Sequence, residues 1–164
     1  MLEDVFTPYR FNNEYLVSQL DTIDADQADH IPHEGVKPPR WITGHICFTM
    51  AMAGRILGER VCPGFEPAWA RYYSPGTDST AVHDDAPDLV TLRDAIVGSE
   101  EKMIDLLSNA KLEDYQESHG IELLNSTPYK TKAHIIAHLL TTHYCFHLGE
   151  LAIWRRTMGI PPLF

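Results

Sequence analysis

Four separate stretches of this chain repeat apolar residues at the three-to-four-residue spacing of an amphipathic helix. The first begins after Thr7-Pro8, a capping threonine followed by a proline suited to the first helical position. It carries Phe11, Tyr15, Leu16, Leu20 and Ile23 on one face and ends near Asp26 to His30. Prolines and a glycine then interrupt any helical ladder from Ile31 to Pro39. The second helix starts at Pro39 or Arg40 and runs to about Gly58, where glycine can close it, with Ile42, His45, Thr49, Met52, Ala53 and Ile56 on its inward stripe. A third is predicted over Pro87 to Ala110, capped near Asp85 or Ala86, with Leu89, Leu92, Ile96, Met103, Leu106 and Leu107 available for a core. The fourth spans Thr131 to Met158. Arg155 and Arg156 complement the helix dipole in its final turns, and Gly159 and Pro161-Pro162 stop it.

The connection from Glu59 to Ala86 is rich in Pro, Gly, Ser and Asp and contains Trp69, Tyr72 and Tyr73. It is too long for a simple turn, and long connections are often functional, so it is expected to form a lid or one wall of a pocket. A charged segment, Lys111 to Ser118, leads to GIELLNSTPY (residues 120–129), which has room for a short strand-like piece. Four long helices and one extended connection define an all-α fold, an antiparallel four-helix bundle with a long crossover, occupying residues 1–164 as one domain.

Candidate chemistry enters through the fourth stretch. At about 100° per residue, Ile136, Leu140, His143, His147, Leu151, Trp154 and Met158 share one stripe, which places two imidazoles one turn apart in an apolar seam. His134 and His138 have the same spacing but lie roughly opposite, with Thr141, Cys145, Gly149, Ala152 and Arg156, and read as exposed or subunit-contact residues. The chain has nine histidines, so spacing alone carries little weight, and the seam selects His143 and His147. A polar group in such a seam needs a partner, because leaving it unpaired costs about 1–3 kcal/mol.

His45 is a third histidine at an inward helical position, whereas His30, His33, His83 and His119 are alternatives in predicted loops. Three imidazoles with one open position are the arrangement of catalytic rather than structural zinc, and they also accept nickel, copper or iron. Glu150, three residues after His147, faces the same side as a hydrogen-bond partner or proton carrier, or else as an ordinary solvated carboxylate. Trp41 and Trp154 read as core or interface aromatics. Cys47 points away from His45, and Cys145 reads as packing at a close helix contact beside Gly149 and Ala152.

Composition narrows the partners. A formal net charge of −10 argues against nucleic acid, which is bound through clustered cations. Three cysteines without a CxxC spacing suggest neither a disulfide framework nor a cysteine zinc site, and fit a reducing compartment. The acidic start has no secretory pattern, and no apolar run approaches the roughly 18 residues of a membrane span. The expectation is a soluble cytoplasmic protein acting on a small molecule.

Two segments, WITGHICF (residues 41–48) and HLLTTHYCFHLGELAIWRRTMGIP (residues 138–161), resemble the DinB/YfiT-like superfamily of metalloenzymes. The resemblance implies a four-helix bundle with a long crossover, a homodimer, and a divalent ion, zinc or nickel, held by His45, His143 and His147. Related members include transferases and isomerases that use a low-molecular-weight thiol such as bacillithiol or mycothiol, with the metal activating the thiol. The expected activity is therefore metal-dependent thiol transfer to, or isomerisation of, a small electrophilic substrate. The alternative is a non-catalytic metal-binding or stress-response bundle acting through protein contacts.

Overall fold

A computed structural model describes residues 2–62 and 64–164; position 63, inside the predicted connection, lies outside the described residues. The described chain is all-helical. Its α-helices are α1 (Phe6–Leu20), α2 (Pro39–Ile56), α3 (Ala70–Tyr73), α4 (Leu89–Val97), α5 (Glu100–Asn109), α6 (Lys132–Leu140) and α7 (Thr142–Thr157). The strand-like piece expected within residues 120–129 is a short 3-10 turn, Glu122–Leu124, and an isolated antiparallel bridge joins Ser118 to Thr131 on its flanks.

Packing follows a cycle. α1 lies against α7 and against α4 and α5, while α2 lies against α4 on one side and against α6 and α7 on the other. The buried apolar side chains of these helices form one contiguous core, in which Leu16, Ile42, Met50, Leu92, Ile136 and Leu151 are fully enclosed. Burying each such side chain contributes about 1.5–3 kcal/mol.

α2 matches expectation at both ends. Pro38 is its N-cap, Pro39 opens it, and Gly58 follows Leu57 at φ +87°, a left-handed conformation that costs glycine nothing. α1 departs from expectation. A 3-10 turn over Leu2–Val5 runs straight into it, so Thr7-Pro8 lies inside the first turns rather than capping them, and the helix ends at Leu20. Phe11, read as core, is 53% exposed, and the buried face instead includes Asn12, Asn13 and Gln19.

Those amides have a structural reason. The predicted fourth helix is broken at Thr141 (φ −125°, ψ −86°), where the Thr141 hydroxyl takes the Ala137 carbonyl at 2.6 Å. Threonine hydroxyls competing for i−4 carbonyls bend helices, and two occur in succession here. Asn12 Nδ2 donates to the Leu140 carbonyl at 3.2 Å and to the Thr141 carbonyl at 3.4 Å, satisfying acceptors at the break. Gln19 Nε2 donates to the Leu148 carbonyl at 3.3 Å, further along α7. The predicted third helix is likewise divided, at Gly98-Ser99, where the buried Ser99 hydroxyl donates to the Ile96 carbonyl at 2.7 Å. Its cap is Asp88, which accepts from the Thr91 amide at 2.7 Å, not Asp85 or Ala86.

Candidate metal centre

α7 starts afresh at the break, and its His143 and His147 face α2. His45 and His147 are each 4% exposed and His143 is half-buried. The His143 Nε2 lies 3.4 Å from that of His45 and 3.3 Å from that of His147, and one ring nitrogen from each of the three falls within 4.8 Å of the other two. His45, His143 and His147 are the only group of this kind among the described residues.

The local sequence explains how each ring is aimed. Gly44 lies against the Tyr73 ring, which a methyl group at position 44 would overlap, so glycine lets α2 approach α3 closely. That approach places the Tyr73 carbonyl 2.6 Å from His45 Nδ1. A carbonyl only accepts, so Nδ1 must carry the proton and the lone pair is left on Nε2. His147 Nδ1 is fixed in the same way, donating to Glu150 Oε2 at 2.7 Å. Glu150 also accepts from Lys37 Nζ at 2.9 Å. The Lys37 ammonium sits 4.8 Å from the centre of the Trp41 ring, which stacks on His45 at 4.9 Å with 6° between the planes. Lys37 and Trp41 thus link the acceptor of His147 to the ring of His45. His143 Nδ1 is buried without a partner, so its tautomer is not fixed by the chain.

The electrostatics favour neutral rings. Burial lowers the pKa of His45 to about 4, reinforced by its histidine neighbour and only partly opposed by the Tyr73 carbonyl. Burial, together with His147, His45 and His138, lowers that of His143 to about 3. Glu150 is pushed up by burial, but the hydrogen bonds from His147 and Lys37 outweigh this and hold it below the usual carboxylate range. Neutral imidazole is the form that ligates metal.

The donor set fits a divalent ion. Nitrogens about 2.0–2.1 Å from a tetrahedral ion stand about 3.3–3.4 Å apart, the separation of His143 Nε2 from both neighbours. The fixed lone pairs of His45 and His147 converge on the third ring.

Of the alternatives, His30, His33 and His134 are exposed, His83 stacks on Tyr72, and His119 is engaged by the Tyr129 carbonyl at 2.9 Å and the Ile121 amide at 2.8 Å. His138 is half-buried rather than exposed. It stacks on Tyr129 at 4.2 Å and lies edge-on to His143 at 5.5 Å, because the break undoes the continuous wheel that placed it opposite. Cys47 is buried and donates to the Leu92 carbonyl at 3.4 Å, away from the centre. Cys145, expected to be packed, is exposed.

Several contributors had no readable signal. Tyr73 acts through its backbone, and Lys37 lies in a loop. The Thr141-Thr142 pair was a visible sign of the break.

A family model described as the DinB superfamily matches residues 9–151, and the chain belongs to that superfamily. No curated protein and no solved structure matches the chain significantly. No described helix is long and apolar enough to cross a membrane.

Proposed function

We propose that this DinB superfamily protein is a metal-dependent transferase or isomerase that uses a low-molecular-weight thiol on a small electrophilic substrate. In this reading His45, His143 and His147 hold zinc or nickel. The convergence of the three Nε2 atoms, two of them with tautomers set by outer acceptors, is the observation that carries it. A divalent ion with an open position supplies the means to acidify a bound thiol or water. The chain's own residues do the rest. The Tyr73 carbonyl and Glu150 orient two rings, Lys37 neutralises Glu150, and Trp41 covers one face of His45.

The cycle of helix contacts supports a four-helix bundle in which α4–α5 and α6–α7 each count as one broken rod and residues 57–88 form the crossover, within a single domain. A homodimer, in the cytoplasm, belongs to the same proposal. The exposed strip of α7 bearing Cys145, Phe146, Gly149 and Ile153 supports it, with Phe146 65% exposed and open space around Gly149. Sedimentation equilibrium of wild type and Gly149→Glu tests this. A dimer that Gly149→Glu leaves intact contradicts the use of this strip.

The activity test is a panel of low-molecular-weight thiols with epoxide, haloalkane and activated-alkene substrates. It uses protein stripped by chelator and reloaded with zinc or nickel. Turnover that vanishes on stripping and returns on reloading is expected. A fully loaded protein inactive across the panel contradicts the enzymatic reading and leaves a non-catalytic metal-binding bundle.

A further inference from the structure

α2 carries a second feature on the side of His45 that points toward its C-terminus. Phe48, one turn after His45, packs its ring against that histidine at 6.1 Å between centroids. The same Phe48 forms a wall of a cavity of about 460 Å³, a size typical of small-molecule sites. α2 adds Ala51 and Met52, and the long connection closes the other side with Val61, Phe65 and Ala70. Phe65 in turn contacts Tyr73, whose carbonyl orients His45. Phe48 therefore stands between the cavity and the histidine centre, and Phe65 reaches the centre one residue removed, through Tyr73.

The charges at the mouth are unequal. Glu59 is paired with Lys102 Nζ at 3.4 Å, and Arg60 donates to the Phe65 carbonyl at 3.4 Å. The Arg55 guanidinium, also lining the cavity and exposed in the last turn of α2, has no ion pair among the described residues. In a chain of net charge −10, an unpaired cation at the rim of an apolar cavity selects an anion with an apolar body.

From this juxtaposition we infer that the cavity bounded by Phe48, Met52 and Phe65 is the substrate pocket of the histidine centre, and that it takes a small amphipathic organic anion. The apolar part lies between α2 and the connection, and the carboxylate or comparable group meets Arg55. This rests on the metal-dependent reading above for the word substrate. The binding itself does not.

Octanoate is a suitable probe, with octanamide and acetate as its neutral and short controls. Calorimetry on the full chain, metal-free and cobalt(II)-loaded, measures affinity, and the visible cobalt spectrum with 8-mercaptooctanoate, which carries a thiol at the end opposite its carboxylate, reports whether the cavity opens on the centre. Octanoate is expected to bind both forms, octanamide at least tenfold more weakly, and acetate not measurably. Arg55→Gln should bring octanoate down to the level of octanamide. Ala51→Trp should fill the cavity and abolish binding, and Ala70→Leu serves the same purpose if that variant does not fold. Equal affinity for octanoate and octanamide, or no effect of Arg55→Gln, overturns the inference. 8-Mercaptooctanoate that binds through Arg55 yet leaves the cobalt spectrum unchanged separates the cavity from the centre and overturns its role as that centre's substrate pocket. If cobalt fails to bind while octanoate binding depends on Arg55, the metal reading falls and the anion site stands.

Discussion

α6 and α7 carry one histidine pair each at the same i, i+4 spacing, and the two pairs meet different surroundings. On α7, His147 is buried with its Nδ1 held by Glu150, and its Nε2 lies 3.3 Å from that of His143. On α6, His134 is exposed and accepts the Lys130 amide at 3.1 Å, while His138 Nδ1 is paired with the Thr142 hydroxyl at 2.7 Å. Spacing alone therefore does not set the surroundings of an imidazole pair. What distinguishes α7 is an apolar seam, an acceptor, Glu150, that chooses the tautomer of His147, and a third ring supplied by α2.

The strongest test of this contrast removes a ring from the α7 pair. His143→Ala or His147→Ala should lower zinc affinity by well over the roughly 100-fold that outer-partner losses cost, measured by competition with a chromogenic chelator. Retention of affinity in either variant breaks the distinction.

Glu150→Gln keeps the shape but allows the other His147 tautomer. A loss of about 10–100-fold in zinc affinity is expected. Unchanged affinity would show that Glu150 serves only its ion pair with Lys37.

A pH titration of the chelator-treated protein sharpens the comparison further. Folded His45 and His143 titrate near 4 and 3, below the ordinary value of 6.5, so the unfolded chain binds their protons first. The stability these neutral rings contribute is present above about pH 6.5 and is lost as pH falls toward 4. The slope from them is at most about 2.7 kcal/mol per pH unit, two protons' worth. Urea midpoints between pH 7 and 4.5 measure it. A midpoint flat over that window contradicts neutral burial. The smallest effect belongs to α6, where His134→Ala should leave both zinc affinity and melting temperature unchanged within error.

Much of this was legible before any coordinates. The period of the apolar residues located the helices of the core, and the seam through Leu140, His143, His147 and Leu151 chose the pair that the structure brings beside His45. His45 followed from its place on the inward stripe of α2. The breaks were not read, because a helical wheel assumes continuity and Thr141-Thr142 and Gly98-Ser99 end it locally. The same assumption placed His138 opposite His143, although the break brings the two rings to 5.5 Å. The buried amides of α1 were invisible for a related reason. Asn12 is inside because the break leaves carbonyls for it to satisfy, a need arising elsewhere in the chain. Tyr73 could not be found from its side chain, since its backbone carbonyl does the work.

The most direct measurement is the metal content of purified wild type, His45→Ala and His134→Ala by elemental analysis, with folding confirmed by circular dichroism. The predicted result is close to one divalent ion per chain in wild type and His134→Ala and almost none in His45→Ala. Near-stoichiometric metal persisting in His45→Ala would contradict a centre shared between α2 and α7.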